Sequence, residues 1–198
     1  IEKMLQVAND HLVKTGKVLL DEVIKREIKD EKRIISQNSE WIAYVPYAAR
    51  YPFEIHIAPL RGVSNMSGLD EKQSAAFAPI AKEVLSRLDG VFGIEMAYIA
   101  SWYQAPVNSG KDSMRLHWQI VSVRRQPGKL KYLSGSESGM GAFIMDLEPE
   151  QSAQQLRERV PSARGAVLRL RLLYSSSYDS PIDTTTTTTT TTAPHAPH

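Results

Sequence analysis

A short segment rich in glycine and serine carries the side chains that are best suited to hold a polar ligand. It runs from Ser134 to Gly141, contains three glycines in eight residues, and lies just after Lys131. Glycine lets a backbone approach a ligand closely, and successive amides can form a nest that binds an anion. With one lysine and one glutamate, Glu137, the segment suits a phosphate or a sugar better than a hydrophobic core. The same pattern also fits a plain flexible loop, because short glycine motifs recur by chance.

The strand that would position this segment is predicted immediately before it. Leu116 to Val123 alternates between two faces, since successive side chains of a strand point to opposite sides. Both faces are mostly apolar, which favours a central strand covered on both sides. Arg124 and Arg125 are expected to end the strand where it becomes exposed to solvent. Pro127-Gly128 is typical of a turn.

The remaining elements are predicted from periodicity and from their end signals. Apolar residues at helical spacing predict two helices in residues 1–29, with Gly16 ending the first. The clearest helix begins at the N-cap Asp70, or at Ser67 one turn earlier, and ends near Gly90. Its buried stripe is predicted to be Ala76, Phe77, Ile80, Ala81, Val84, Leu85 and Leu88. The other predicted elements are a hairpin at 34–36 and 41–46, strands at 51–58 and 95–103, and a final helix at 148–160.

The character of the sequence changes after residue 160. Residues 167–174 alternate arginine with aliphatic residues and could add an edge strand. Nine consecutive threonines follow, from Thr184 to Thr192. Such a composition cannot bury enough surface to fold, so we expect a disordered tail. His195 and His198 could bind a metal only loosely.

The composition limits the possible functions. A net charge of +2 gives no reason to expect nucleic acid, whose binding requires a dense basic patch. The absence of cysteine excludes disulfides and thiolate metal sites, and is consistent with a reducing cytoplasm. The sequence has no apolar run long enough to span a membrane and no signal peptide. The chain opens on Ile1, which suggests that its natural start lies upstream.

An ordered series of motifs resembles one enzyme family. His117-Trp118-Gln119 is followed by Arg124-Arg125, by residues 127–133 (PGKLKYL) and by residues 135–141 (GSESGMG). Upstream motifs occur in the matching order: Tyr51-Pro52-Phe53-Glu54, Pro59, Ala105-Pro106 and, downstream, Pro149-Glu150. Together they are similar to the C-terminal half of galactose-1-phosphate uridylyltransferase, in the histidine-triad superfamily, over roughly residues 1 to 160.

The resemblance implies a fold and a division of the chain. The expected fold class is α+β: a histidine-triad-like domain with a mainly antiparallel sheet and helices packed on it. Residues 1–30 would form a helical lead-in and residues 31–160 the domain itself. Residues 161–198 would be an edge segment and the threonine-rich tail.

The resemblance also implies a function that this chain performs only in part. The family exchanges UMP between UDP-glucose and galactose-1-phosphate through a nucleophilic histidine in a His-Pro-His motif, which is absent here. An N-terminal half, on the same or a separate chain, would supply that histidine and zinc. We expect a cytoplasmic homodimer whose ligands are a sugar phosphate and a UDP-sugar. Alternatives are a nucleotide-sugar or dinucleotide phosphorylase of the same superfamily, and a non-catalytic module that binds a partner.

The resemblance assigns roles to the glycine-rich segment. Lys131 would pair with the hexose phosphate, Glu137 would accept hydrogen bonds from sugar hydroxyls, and Ser134, Gly135 and Ser136 would add contacts. For Lys131 and Glu137, an exposed ion pair of little energetic value is the alternative.

No catalytic residue and no metal ligand is assigned to this half. His117 is the one candidate nucleophile; with nothing nearby placed to orient it, a structural role is expected. His56 could lie near a pocket or on an open sheet face, and the open face is the expectation. Gly62 replaces a family histidine that helps to hold a structural metal, so no metal or other cofactor is expected here.

Overall fold

Two consecutive helices open the part of the chain that the computed structural model describes, residues 2–159. They are α1 (Glu2–Thr15) and α2 (Leu19–Asp30). Gly16 separates them in the left-handed region, with φ of 70°, and its amide donates a 2.8 Å hydrogen bond to the carbonyl of Leu12. This is the C-terminal cap that the sequence predicts, and glycine adopts that conformation without a steric penalty.

Five strands within residues 2–159 form one antiparallel sheet. They are β1 (Ile34–Gln37), β2 (Trp41–Tyr44), β3 (Ile55–Pro59), β4 (Ile99–Tyr103) and β5 (His117–Val121). Their order is β1-β2-β3-β5-β4, so β5 is an interior strand, as predicted. Two shorter strands, β6 (Arg124–Gln126) and β7 (Lys129–Leu130), form a separate ribbon around the predicted Pro127-Gly128 turn.

Helices α3 (Glu71–Gly90) and α5 (Pro149–Glu158) cover one face of this sheet. Asp70 caps α3 in a capping box: its carboxylate accepts from the amide of Gln73, while the Gln73 side chain accepts from the Asp70 amide. Proline at the first turn of α5 fits a position where no amide hydrogen is needed. The predicted fold class, α+β with a mainly antiparallel sheet and helices packed on it, is confirmed.

The pleat of β5 separates its residues between two unlike environments. Ile120 is fully buried in the main core and Trp118 packs against that core, together with Ile55 and Ile57 of β3. His117 and Gln119 point to the opposite face, where they oppose Tyr103 and Ser101 of β4 and His56 of β3. The alternation is as predicted, but the second face of β5 is more polar than its apolar composition suggested.

Three predicted elements differ from the structure. The strand predicted at 95–103 spans only Ile99–Tyr103. The glycine-rich segment is not a plain loop: it holds a short helix, α4 (Gly135–Met140). The strand expected to start at Tyr51 starts at Ile55, because residues 51–54 form a turn in which the Glu54 amide bonds the Tyr51 carbonyl. The predicted strand at 167–174 and the threonine-rich tail lie outside the described residues. Between residues 2 and 159, no helix combines the length and apolarity that crossing a membrane requires.

Candidate functional site

The segment of residues 129–146 lies against the sheet because Lys131 anchors it. The Lys131 ammonium donates 2.8 Å hydrogen bonds to the carbonyls of Arg50 and Ile144. It also pairs at 2.8 Å with Glu137 Oε1, and the two side chains are only 6% and 3% exposed. All three ammonium hydrogens therefore have acceptors within the chain.

Glu137 is held by more than its lysine. One carboxylate oxygen accepts from the Ser134 amide at 2.8 Å and the other from the Ile144 amide at 3.0 Å. The Lys131 ammonium and these two amides lower the pKa of Glu137 to about 2, because each stabilises the ionised form. Glu137 thus joins the start of α4 to the chain that follows it.

The bond from Ser134 to Glu137 makes the start of α4 a capping box. The pattern that encodes it, serine followed three residues later by glutamate, is visible in the sequence. It explains why this segment is helical in spite of its glycines. Ser134 and Gly135 stay exposed to solvent, and the hydroxyls of Ser134 and Ser136 are 2.9 Å apart. An added Cβ at Gly135 would meet nothing within 4 Å, so its backbone is open to an approaching molecule.

A small pocket of about 200 Å³ lies between this segment and the sheet. Arg50 and Tyr51 line it from the loop before β3, Gln119 lines it from β5, and Phe143 lines it from the segment. The Arg50 guanidinium lies 5.7 Å from the Phe143 ring centroid and donates a long 3.5 Å bond to Gln119 Oε1. Arg50 is the cation among the described residues that line this pocket, and 44% of its side chain is exposed.

His117 has a defined orientation, which corrects the expectation that nothing nearby would orient it. Its Nδ1 lies 3.0 Å from the Arg115 carbonyl, and its Nε2 lies 3.1 Å from the Gln119 side-chain nitrogen. A carbonyl only accepts, so Nδ1 carries the hydrogen and Nε2 accepts from the Gln119 amide. The ring also stacks on Tyr103 with centroids 5.4 Å apart. Burial lowers the pKa of His117 to about 4, so the imidazole is neutral at pH 7.

His56 lies beside His117, which sequence reasoning missed. The two ring centroids are 5.6 Å apart, and His56 Nε2 bonds Glu54 Oε1 at 3.0 Å. Burial alone would raise the pKa of Glu54, but hydrogen bonds from His56 and from the Arg50 amide lower it below its usual value. The alternation of β3 put His56 and Glu54 on one face; only the β3–β5 register shows that His117 shares it.

The five residues predicted to bind a ligand thus fall into two groups. Lys131 and Glu137 are buried and bond each other, whereas Ser134, Gly135 and Ser136 form the accessible start of α4. Their binding roles remain predictions. Within residues 2–159, no cluster of three or more His, Asp or Glu side chains is placed to hold a metal ion.

Comparisons with known proteins agree on one family. The family model described as "Galactose-1-phosphate uridyl transferase, C-terminal domain" matches residues 4–165. The chain belongs to this family. Galactose-1-phosphate uridylyltransferase of Thermotoga maritima is 34% identical over 134 residues, which cover 67% of this chain and 42% of that protein. The enzyme of Haemophilus influenzae is 34% identical over 153 residues, 75% of this chain and 43% of that protein.

The chain is also similar to solved structures. A uridylyltransferase mutant superposes with a TM-score of 0.74 at 35% identity, over 79% of this chain and 51% of that one. An ADP-glucose phosphorylase from Arabidopsis thaliana, solved with bound ADP-glucose, superposes with a TM-score of 0.67 at 25% identity, over 80% and 48% of the two chains. The chain therefore spans less than half of the length of the curated relatives named above, and about half of these solved chains.

Proposed function

We propose that this chain is the sugar-phosphate-binding half of a hexose-1-phosphate uridylyltransferase. The complete enzyme would exchange UMP between UDP-glucose and galactose-1-phosphate, as a nucleotidyltransferase of galactose metabolism. The observation that carries the proposal is the exposed start of α4, held against the sheet by the buried Lys131–Glu137 pair in a member of this family. That pair fixes the position of the backbone that would meet the sugar phosphate.

The charges beside α4 suggest how the phosphate would be bound. Lys131 already satisfies three acceptors, so a phosphate would have to replace Glu137 or one of the two carbonyls as its partner. Arg50 is freer: its guanidinium makes a long bond to Gln119 and lies 3.6 Å from Glu54. We infer that Arg50 is the main side chain that binds the phosphate, and that Lys131 acts mainly by holding the segment in place. Arginine suits this role because its planar fork matches phosphate oxygens.

The chemical step is proposed to belong to the N-terminal half of the enzyme. That half would bring the nucleophilic histidine and zinc, on the same or on a separate polypeptide. The complete enzyme, with both halves, would act as a homodimer, in a cytoplasm compatible with a cysteine-free sequence. Transfer activity from this chain alone would contradict the division of labour; transfer that requires an added half containing His-Pro-His would support it.

A binding experiment tests the role of α4 directly. Galactose-1-phosphate is titrated calorimetrically into the wild-type chain, Gly135→Val and Gly139→Val. Both glycines have open space around an added Cβ and no positive φ, so both variants should fold. Only Gly135→Val would block the backbone at the start of the helix. We expect it to weaken binding about tenfold or more, the effect of losing one or two hydrogen bonds to a charged ligand.

Gly139→Val is the matched control and should bind as the wild type does. Equal affinities for the two variants would contradict the proposal, and so would wild-type binding too weak to measure at millimolar ligand. Replacing Lys129, which is exposed two residues before Lys131, with methionine should leave the affinity nearly unchanged.

A phosphorylase is the second candidate. The observation in its favour is the superposition on the Arabidopsis ADP-glucose phosphorylase. The two enzyme classes differ in the acceptor, which is inorganic phosphate in one and a hexose phosphate in the other. Analysis of the nucleotide products of the reconstituted enzyme separates them. If reconstitution with the N-terminal half yields association but no sugar-phosphate binding, the chain is instead a partner-binding module.

A further inference from the structure

The larger of the two cavities described here lies on the same sheet face and shares only Gln119 with the pocket beside the α4 segment. It has a volume of about 770 Å³, and α1, α2, β2 and β5 all contribute to its lining. Pockets that bind small organic molecules have volumes of about 300–1,000 Å³. The proposed uridylyl transfer makes no use of this cavity, so its occupant is a separate question.

The walls of the cavity are apolar. Met4 and Val7 of α1, Leu20 and Val23 of α2, and Met114 before β5 line it. Helix α1 fully buries only Ala8, and its Val7 is 49% exposed. An amphipathic helix normally buries its apolar stripe against a neighbour. The exposed stripe of α1 is therefore available to the apolar part of a ligand.

The inner end of the cavity holds a polar group without a partner. Tyr44 lines the cavity from β2 and is 1% exposed, and its hydroxyl makes no hydrogen bond with any described residue. Burying an unsatisfied hydroxyl is unfavourable. A ligand atom that accepts from or donates to this hydroxyl would remove that cost. The neighbouring polar groups are already engaged, since His56 bonds Glu54 and His117 bonds Gln119.

The rim of the cavity carries unpaired positive charge. Deeper in the lining, the buried Arg33 pairs with Glu27 at 2.9 Å and lies 3.9 Å from the exposed Asp30, and Arg115 pairs with Asp21. Lys3 and Arg26 also line the cavity and are exposed. Neither of these two makes an ion pair within residues 2–159. The rim thus favours an anionic head group. The apolar walls favour a ligand whose remaining atoms are uncharged.

We propose that this cavity binds an amphipathic organic anion, namely a medium-chain monocarboxylate. Its apolar chain lies against α1 and α2, its carboxylate meets Lys3 and Arg26 at the rim, and its far end reaches Tyr44. A hydroxyl at that far end strengthens binding by satisfying the tyrosine. The site is independent of the proposed transferase function and is tested separately from it.

The experiment follows displacement of the fluorescent anion anilinonaphthalenesulfonate from the full chain. Decanoate, decanol and decyltrimethylammonium are compared, because they share a chain length and differ in charge. Decanoate should displace the probe at a concentration about tenfold or more below that of the cation, as expected for a head group near two exposed charges. Equal potency of all three, or no saturable displacement at millimolar decanoate, would overturn the proposal.

Matched variants locate the site. Val7→Trp fills the cavity and should abolish decanoate binding, whereas Val13→Trp on the same helix, 88% exposed and outside the lining, should not. Arg26→Glu should weaken decanoate binding, with Lys25→Glu as its exposed neighbour on α2. The Arg26 pair keeps the test decisive if Val7→Trp unfolds, which circular dichroism would reveal. If Arg26→Glu binds decanoate as the wild type does, the carboxylate does not lie at this rim, and the proposal is contradicted.

Tyr44 provides the sharpest comparison. Tyr44→Phe removes the hydroxyl and keeps the ring, so decanoate should bind it as it binds the wild type. Decanoate with a terminal hydroxyl should bind Tyr44→Phe about fivefold more weakly than it binds the wild type, because it loses one neutral hydrogen bond. The same loss for both ligands would show that the hydroxyl is not the contact.

Discussion

The two faces of the five-stranded sheet are built on different principles. The face toward α3 and α5 is an apolar core that contains an aromatic cluster. Its Phe77 ring lies 5.0 Å from Trp41, 4.8 Å from Trp102 and 5.4 Å from Trp118, measured between centroids. The opposite face carries histidine, glutamine and tyrosine and is bordered by two cavities. It is packed only in part, by a small apolar cluster in which Ile24 of α2 meets Ile42 and Ala58. The rest of that face is fixed by a few hydrogen bonds and ion pairs.

This difference separates stability from function within one sheet. Burial of large side chains stabilises the fold without direction or specificity, so the packed face can tolerate little change in volume. A polar face leaves accessible groups and open space, which ligand binding requires. The predictions that follow compare the two faces, and they run from the largest expected effect to the smallest.

Truncation within the packed face should have the largest effect. Trp41 is fully buried, and its indole nitrogen donates a 2.7 Å bond to the Gln73 carbonyl. Trp41→Ala should lower the free energy of unfolding by about 4 kcal/mol, through the cavity and the lost hydrogen bond. Urea denaturation measures this value. Tyr47→Ala, which truncates an aromatic side chain 76% exposed, should change it by less than about 1 kcal/mol. Similar losses in the two variants would show that the aromatic cluster is not the centre of the core.

Acid should act on the polar face through His117. Burial lowers the pKa of His117 to about 4, against 6.5 in an unfolded chain. The unfolded state therefore binds a proton first, so stability is complete above pH 6.5 and declines as the pH falls toward 4. The decline attributable to this group is at most roughly 3 kcal/mol. His117→Gln, which does not titrate, should flatten the unfolding free energy measured from pH 7 to pH 4. An equally steep decline in that variant would assign the effect to other groups.

Releasing the anchor of the α4 segment should leave the core folded. Lys131→Met removes three hydrogen bonds and leaves the Glu137 carboxylate without its cation. Amide exchange in residues 134–144 should accelerate about tenfold or more, while the amides of β2 and β3 exchange as in the wild type. Lys129→Met is the matched control for charge. Faster exchange in the sheet as well would mean that the segment and the core unfold together.

The packed face is the part of the molecule that the sequence describes well. The helical stripe and N-cap of α3 and the alternation of β5 each depend on local chemistry, as does the glycine that ends α1 outside this face. Those features are confirmed to within two residues at their ends. The helix at α4 could also have been predicted, because Ser134 and Glu137 have the spacing of a capping box. The glycines around them obscured it.

The polar face depends on partners that are far apart in the chain. His56 meets His117 across 61 positions, and Lys131 reaches the carbonyl of Arg50 across 81. No local pattern encodes such distances, since they follow from the strand order β3-β5-β4 and its register. The sequence suggested ligand-binding roles for Lys131 and Glu137, with an exposed ion pair as the alternative. The pair forms, but the sequence could not reveal that it is buried.

The smallest and most local effect should come from protonation of Glu137. The Lys131 ammonium is the main reason that the pKa of Glu137 lies at about 2 rather than near 4.5. Because the folded state lowers this pKa, the ionised Glu137 stabilises the fold above pH 4.5, and this stabilisation is lost as the pH falls toward 2. The amides of Ser134 and Ile144 donate to this carboxylate, so their NMR shifts should titrate together with a midpoint near 2. In Glu137→Gln both shifts should be insensitive to pH over that range. A midpoint near 4.5 in the wild type would mean that the Lys131–Glu137 pair is open in solution, and that the polar face lacks the fixed anchor on which its binding role depends.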